Sequence, residues 1–436
     1  MSETAKFLTV VTLLLVAPNA YGERPPIREF LGVCGHTVLF RPELYAPVCS
    51  LVRDYHPVDW DLGDQTNRLP DWPFAKNQVN WEAVYRSWQD KGFRTNVCLQ
   101  FDAISPEQWH DLPNDAATYA EAFAKQFGPS ADSPLVETVE IGNEPGRYSD
   151  EQYTTLLRAV APALRSADSK LRIATCNLTT GSSTDYAKSV KTLTADPSIL
   201  PAIDVLTIHT YAEAEPYPTW RRSFPEDPSI PYLNDVQELA VWRDRHAPDK
   251  SIWITEFGYD ATTKKPDPQT EFAQWSGVTE LQQAQYLVRS VLVFSAMPVE
   301  RTYLYFFNDT DEPKLHGSSG ITRNFKPKPA YFALAHLQKT LGDFRFSRIV
   351  EQKAGEVYAY EFASLTEPRE LVIAAWSPTG SARTDKINLT LPTGFRIVRA
   401  EVMPVDARPP RDLQISTPLE VPISESPLFL RLTSAP

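Results

Sequence analysis

The strongest constraint on the fold is a regular alternation of short apolar runs with longer amphipathic segments. The runs have the near-continuous apolar character of strands that are covered on both faces. Eight of them lie at 30–38, 52–60, 93–101, 136–141, 171–178, 204–211, 252–257 and 302–307. Helical patterns lie between them at 80–91, 114–127, 153–167, 185–193, 233–246, 279–294 and 330–341. This alternation predicts an α/β fold, a (β/α)₈ TIM barrel over 27–342.

The pattern changes after Gly342 to segments that alternate apolar and polar residues, with no helical periodicity. Such segments are typical of antiparallel strands with one covered face. They lie at 344–350, 357–362, 371–376, 387–391, 397–403, 419–423 and 428–432. We therefore predict an all-β sandwich as a second domain over 343–436.

The first residues resemble an export signal. Lys6 precedes an apolar run at 7–17, and Ala20 and Gly22 are small residues at the two positions that a signal peptidase reads. We predict a signal peptide over 1–22 and an exported protein, whether periplasmic, cell-surface or secreted. The run is too short to span a bilayer comfortably, and no other stretch resembles a transmembrane helix. Because Glu3 offsets the charge of Lys6, a lipid or membrane anchor is the alternative for this segment.

Charge and motif content exclude several function classes. The net charge is −12, so the chain lacks the basic character that binding to nucleic acid requires. We find no His-x-x-x-His or Cys-x-x-Cys pair, no Gly-x-Ser-x-Gly and no phosphate-cradling glycine loop. We therefore expect neither a metal centre nor a cofactor. The four cysteines permit up to two disulfides or serve as buried thiols, and the oligomeric state stays open.

Two glutamates follow predicted barrel strands at the edge where active sites of such barrels lie. Glu144 stands in Asn143-Glu144-Pro145 after the fourth strand, and Glu256 stands in Thr-Glu-Phe-Gly at the end of the seventh. The sixth strand ends in His209-Thr-Tyr211, which places these two side chains on one face. Carboxylates on opposite walls are the pair that glycosidic bond cleavage needs.

These three motifs, in this order and at these strand ends, resemble clan A retaining glycoside hydrolases such as families 5 and 39. The resemblance spans most of 30–342. It implies a carbohydrate substrate, with Glu144 as general acid/base, Glu256 as nucleophile and Asn143 as a donor to the substrate 2-hydroxyl. It also implies that an arginine of the second strand holds the nucleophile, and Arg53 is the candidate. A bottom-layer or helix-end ion pair is the alternative for Arg53.

The remaining candidates surround this pair. Tyr211 is expected to donate to Glu256, and His209 to bind Glu144 or the sugar. Aromatic rings form platforms for the apolar faces of sugars, and Trp60 is one candidate among several loop aromatics. Phe307 stands near the eighth strand end, where relatives often carry a tryptophan. Glu140 is either a partner of the site or part of a buried salt bridge.

The sequence therefore predicts an exported retaining β-glycoside hydrolase that cleaves a polysaccharide or oligosaccharide by double displacement with two glutamates. A noncatalytic carbohydrate-binding barrel is the alternative from another functional class, although the presence of both carboxylates argues against it. An inverting or transglycosylating enzyme is a further alternative. The sugar and its linkage depend on loop shapes that the motifs do not encode.

Overall fold

The computed structural model of the protein describes residues 24–35, 41–413 and 420–434. The predicted export signal at 1–22 lies outside these residues. Within them, no helix combines the length and the apolar character that crossing a bilayer demands.

Eight parallel strands form a closed barrel, as predicted. They pair in the order β4-β3-β2-β1-β8-β7-β6-β5, and pairing between β4 and β5 closes the ring. Their bounds are Leu31–Cys34 (β1), Leu51–Pro57 (β2), Arg94–Gln100 (β3), Thr138–Ile141 (β4), Arg172–Thr179 (β5), Val205–His209 (β6), Ser251–Phe257 (β7) and Arg301–Leu304 (β8). Closure brings the carboxyl ends of all eight strands to one rim.

In the described part of the chain, six long helices cover the outside of the barrel. They are Trp81–Gln89 (α1), Leu112–Phe127 (α2), Asp150–Ala167 (α3), Tyr232–His246 (α4), Glu280–Ala296 (α5) and Pro329–Leu341 (α6). Caps predicted from the sequence are present, since Asn80 accepts from the amide of Ala83 and Ser149 forms a capping box with Gln152.

Two of the eight strand-to-helix connections depart from the expected pattern. After β1 the described residues contain only the single turn Pro42–Tyr45, and after β5 only the single turns Lys191–Thr194 and Ile199–Ala202. The helix predicted at 185–193 is therefore wrong. In its place Lys188–Ser189 pairs with the end of β5, and the following turn lies against α3.

The β-sandwich predicted after the barrel is confirmed. Its strands are Phe344–Lys353 (β9), Val357–Ser364 (β10), Glu370–Trp376 (β11), Asp385–Asn388 (β12), Phe395–Val402 (β13), Arg411–Asp412 (β14), Glu420–Ile423 (β15) and Leu428–Ser434 (β16). One antiparallel sheet has the order β9-β10-β11-β16-β13-β14, and β12 pairs with β15 in a second. An apolar core that includes Ile373, Val421 and Leu430 lies in this domain.

A buried polar cluster joins the sandwich to the barrel. Arg289 of α5 donates from Nε to Glu226 over 3.0 Å and from Nη1 to the carbonyl of Thr379 over 2.9 Å. The indole of Trp376 donates to the same Glu226 carboxylate over 2.6 Å. Since Glu226 belongs to the loop between β6 and α4, this cluster ties a loop at the rim of the barrel to the second domain.

Side chains fill the barrel interior below the rim. Trp253 and Tyr303 are fully buried there, together with Cys34 and Leu51. Gly32 is required at this level, because a Cβ at that position would lie 2.5 Å from the ring of Tyr303. The interior is packed at this level, and active sites of such barrels lie at the rim formed by the carboxyl ends of the strands. All four cysteines are free and buried.

Candidate active site

A cleft of about 780 Å³ opens at the carboxyl rim of the barrel. Strand ends and the connections after β2, β4 and β8 supply its walls. Its lining includes Tyr55, Pro57, Trp60, Gln100, Asn143, Glu144, Glu256, Tyr305, Phe306, Asn308, Asp309, Thr310, Glu312, Lys314, His316 and Gly317. The two glutamates singled out by the sequence therefore share one cleft with aromatic and polar neighbours.

Glu256 is held by three donors. Its Oε1 accepts from Arg53 Nη1 over 2.8 Å and from the Tyr55 hydroxyl over 2.6 Å. Its Oε2 accepts from the Tyr211 hydroxyl over 2.8 Å. These contacts fix the carboxylate in one orientation, and they leave Oε2 with fewer hydrogen bonds than Oε1.

The surroundings of Glu256 keep it ionised. Burial by itself raises the pKa of this carboxyl, but attraction to His209 and Arg53 and hydrogen bonds from Tyr55 and Tyr211 outweigh burial and lower the pKa to about 2. Burial raises the pKa of Tyr55 and of Tyr211 well above the usual value, so both hydroxyls remain donors. An ionised, oriented carboxylate is the state that a nucleophile requires.

Arg53 connects the nucleophile candidate to a second carboxylate deeper in the barrel. Its Nε and Nη2 donate to the two oxygens of Glu140, each over 2.8 Å. The side chains of Arg53 and Glu140 are completely buried. The structure thus places Arg53 within the site and makes Glu140 both a salt-bridge partner and a support of the site. A bidentate pair of this kind fixes the plane of the guanidinium.

Glu144 occupies a different environment. About a quarter of its side chain is exposed, and Oε1 lies 2.8 Å from His209 Nδ1. Among the described residues, no arginine or lysine pairs with its carboxylate. His209 Nδ1 also lies 3.7 Å from Glu256 Oε2, so the imidazole stands between the two glutamates. His209 thus contacts Glu144, as expected from the sequence. Tyr211 likewise donates to Glu256, as expected.

The two carboxylates approach each other closely. A carboxylate oxygen of each glutamate and a ring nitrogen of His209 all lie within 4.8 Å of one another. The spacing suits direct attack by one carboxylate, which needs about 5 to 5.5 Å between the carboxyl groups. A mechanism with a water between them needs roughly 6.5 to 9.5 Å.

Asn143 joins the same network. Its Oδ1 accepts from Arg53 Nη2 over 2.8 Å, which leaves the amide nitrogen as the group available to the cleft. Its backbone amide donates to Asp102 Oδ1 over 3.0 Å. The preceding Gly142 has a φ of +89°, a conformation that favours glycine. The turn after β4 is therefore fixed by its backbone and by Asp102, and it presents Asn143 and Glu144 together.

The cluster of Glu144, His209 and Glu256 also has the residue types of a metal site, although the sequence predicted none. Glu256 already accepts a hydrogen bond from the Arg53 guanidinium and two from tyrosines. Its negative charge is therefore largely compensated, which weakens it as a ligand for a divalent cation. The arrangement suits proton transfer and nucleophilic attack better than metal binding.

One of the two predicted aromatic contacts is misplaced. Trp60 lines the cleft from the turn Val58–Leu62, as expected. Phe307 does not: it is fully buried and stacks on Tyr45 with ring centroids 3.5 Å apart. The error has a structural cause, because β8 ends at Leu304 and the chain then turns. Tyr305 and Phe306 face the cleft in its place.

Sequence reasoning missed three further residues of the site. Tyr55 was detectable, because it lies two residues after Arg53 on the same strand and therefore on the same face. Tyr305 lies with its ring 6.4 Å from that of Tyr55. His316 contacts the ring of Tyr211 at a centroid distance of 4.8 Å from a loop after β8, and no local pattern in the sequence marks it.

Comparisons with known proteins show a resemblance in fold. No protein-family profile and no curated relative matches the chain. Among solved structures, a family 39 glycoside hydrolase from Bacteroides cellulosilyticus aligns with a TM-score of 0.69 and 16% identity over 94% of this chain and 81% of that one. A glucosidase from Croceicoccus marinus aligns with a TM-score of 0.64 and 12% identity over 96% and 98%.

A third solved structure agrees. The family 30 endoxylanase from Clostridium papyrosolvens aligns with a TM-score of 0.57 and 13% identity over 95% of this chain and 98% of that one. The alignments include the sandwich as well as the barrel, since they cover nearly the whole chain. The predicted resemblance to clan A glycoside hydrolases is thus confirmed in architecture.

Proposed function

We propose that the protein is an exported retaining β-glycoside hydrolase that cleaves a polysaccharide or oligosaccharide by double displacement. The observation that carries the proposal is the pair formed by Glu144 and Glu256, two carboxylates in one cleft with oxygens within 4.8 Å and with different partners. The similarity in fold to solved glycoside hydrolases supports it. Export rests on the sequence at 1–22 alone.

In the first step Glu256 attacks the anomeric carbon. Oε2 is the attacking atom, because it accepts one hydrogen bond whereas Oε1 accepts two. As the new bond forms, the glycosidic bond breaks and Glu144 gives its proton to the departing oxygen. The sugar is then an ester of Glu256.

In the second step Glu144, now ionised, takes a proton from a water molecule, and that water attacks the same carbon. The ester bond breaks and Glu256 recovers its negative charge, which Arg53, Tyr55 and Tyr211 stabilise. His209 contacts Glu144 throughout and holds its carboxylate toward the nucleophile. Two inversions at one carbon retain the anomeric configuration.

A noncatalytic carbohydrate-binding barrel is the competing function. Sugar binding alone requires aromatic rings and hydrogen-bond donors, but it gives no reason for a buried, ionised carboxylate facing a second one. The hydrogen-bond network around Glu256 therefore favours catalysis.

Trapping the covalent intermediate tests the proposal. The protein is incubated with a panel of activated 2-deoxy-2-fluoro glycosides, in which fluorine slows the second step more than the first. We expect one member to inactivate the protein and to add one sugar mass to the peptide that contains Glu256. Turnover of glycans without labelling, or labelling of another residue, contradicts the assignment. The absence of both turnover and labelling across the panel favours the noncatalytic alternative.

A further inference from the structure

A buried arginine next to the proposed nucleophile network has no counter-ion within the described ranges of the chain. Arg222, in the loop between β6 and α4, is only 6% exposed. No described carboxylate lies within ion-pair distance of it, and its Nε is enclosed without a hydrogen-bond acceptor. Its guanidinium carbon lies 4.6 Å from the ring of Tyr211, whose hydroxyl binds Glu256.

This arrangement contrasts with that of two arginines that are completely buried, Arg53 and Arg289. Arg53 pairs with Glu140 and Glu256, and Arg289 pairs with Glu226. A buried charge without a partner is unfavourable, and a cation–π contact with one tyrosine offsets only part of that cost. Arg222 is therefore positioned like a group whose partner arrives with a ligand.

A second unsatisfied nitrogen lies at the same tyrosine. His316 reaches the ring of Tyr211 from the loop after β8, lines the cleft, and has an enclosed Nδ1 without a hydrogen-bond partner. Burial lowers the pKa of His316, so the ring serves as a neutral hydrogen-bond donor or acceptor and the positive charge comes from Arg222. Two separate loops thus bring nitrogen atoms without partners to the ring of Tyr211, and His316 is the one of these two residues that is seen to line the cleft.

We infer that this wall, formed by Arg222, His316 and Tyr211, binds an acidic group of the sugar, and that the substrate is a glycoside of a uronic acid. The inference rests on the proposed glycosidase function and names its substrate class. A planar carboxylate matches the fork of the guanidinium, which binds such groups through two parallel hydrogen bonds. The carboxylate would also supply the counter-charge that Arg222 lacks.

An acidic sugar in this site would need a cation close to it. Glu144 and Glu256 both lie in the cleft, so an anionic sugar meets repulsion unless a cation offsets it. The net charge of −12 makes this requirement stronger rather than weaker. The substrate class therefore depends on the charge next to the reacting sugar. In this proposal Arg222 supplies the positive charge that an acidic sugar needs.

Paired substrates test the inference. Initial rates are measured on p-nitrophenyl glycosides in matched pairs, a glucuronide with a glucoside and a galacturonide with a galactoside, together with 6-sulfated analogues. We expect one uronide to exceed its neutral partner at least tenfold in kcat/KM. A preference for the sulfated sugar assigns the wall to a sulfate ester and contradicts the uronate. A preference for neutral sugars over every acidic partner contradicts the wall as an anion site.

Substitution at Arg222 separates binding from structural support. Arg222→Met should lower kcat/KM on the uronide about 10- to 100-fold more than on the neutral glycoside, the range expected for a lost charge-assisted hydrogen bond. Arg222→Lys should restore part of the loss. Arg221→Met is the matched control, because Arg221 is the exposed neighbour and pairs with Glu215. An equal loss on acidic and neutral sugars shows that Arg222 only supports Tyr211, and it overturns the inference.

A binding measurement keeps the inference separate from catalysis. Isothermal titration of the Glu144→Gln variant with glucuronate, galacturonate and the two neutral sugars reports affinity without turnover. The protein could bind uronate, lose that binding in Arg222→Met, and yet cleave no glycoside. This result supports the anion-binding wall and rejects the proposed glycosidase function. Cleavage of neutral glycosides without uronate binding supports the proposed glycosidase function and rejects the anion-binding wall. If neither glycoside cleavage nor uronate binding is found, both the proposed function and the anion-binding wall are rejected.

Discussion

Arg53 Nη1 donates to Glu256 Oε1 over 2.8 Å from a side chain that is completely buried and that also binds both oxygens of Glu140. One guanidinium therefore orients the proposed nucleophile and anchors itself on a second carboxylate. Although burial lowers the pKa of an arginine, the charge of Glu140 raises the pKa of Arg53 well above its usual value, so the cation persists at every working pH.

Arg53→Lys should weaken both catalysis and stability. A lysine has a single ammonium group and cannot hold Glu140 bidentately while it contacts Glu256. We expect kcat/KM to fall at least tenfold, the acid limb of the pH profile to move upward, and the unfolding free energy to fall by about 3 to 5 kcal/mol. Arg289→Lys, at the junction of the two domains, should lose stability but keep its pH profile. A normal pH profile for Arg53→Lys would show a purely structural ion pair.

Tyr55→Phe should move the acid limb without disturbing the fold. The hydroxyl stabilises the ionised form of Glu256, so its removal raises the pKa of that carboxyl above the value of about 2 in the intact site. Activity at low pH should therefore fall more than activity near neutrality. Tyr303→Phe is the control, since this buried tyrosine is not hydrogen-bonded to Glu256. Equal profiles for the two variants contradict the role of Tyr55.

Glu144→Gln should show a loss that depends on the leaving group. The general acid matters most when the departing oxygen is basic, so we expect a loss of about 10²- to 10⁴-fold on natural glycans. On dinitrophenyl glycosides, which need no proton, the first step should be nearly normal. A uniform loss on both substrate types assigns Glu144 to binding rather than to proton transfer.

Acid should weaken the native state through Glu256. Its pKa is lowered in the folded protein from 4.5 to about 2, so the ionised group contributes stability above pH 4.5, and this contribution is lost as the pH falls from 4.5 through 2. The melting temperatures of the wild type and of Glu256→Gln should therefore converge or cross over in this window. Glu300, whose pKa Arg172 also lowers to about 2 against the effect of burial, gives a control. Glu300→Gln should share the pH window and keep activity. If the difference in melting temperature between the wild type and Glu256→Gln does not change with pH, the lowered pKa of Glu256 is contradicted.

Much of the architecture was predictable because the periodicity and the length of the apolar segments indicate strands and helices. All eight barrel strands were located, and the motifs at Glu144, Glu256 and His209 came together because parallel strands end at one rim. The connection after β5 was not predictable in the same way. The residues at 185–193 have helical composition, but pairing of Lys188–Ser189 with β5 replaces the helix.

The rest of the site depends on loops, which have no periodicity. Phe307 was misplaced because the predicted eighth strand at 302–307 extends past the observed end of β8 at Leu304. His316 and Arg222 lie in long loops that meet at Tyr211, and no spacing in the sequence predicts that meeting. Tyr55 is the exception, because strand alternation after Arg53 was enough to place it.

The configuration of the first product tests the central claim most directly. Proton NMR, recorded during the first minutes of cleavage of a β-glycoside, distinguishes the β-anomer from the α-anomer before mutarotation mixes them. Attack by Glu256 within 4.8 Å of Glu144 predicts that the β-anomer forms first. An α-anomer as the first product would mean that a water attacks directly, and it would contradict the assignment of Glu256 as the nucleophile.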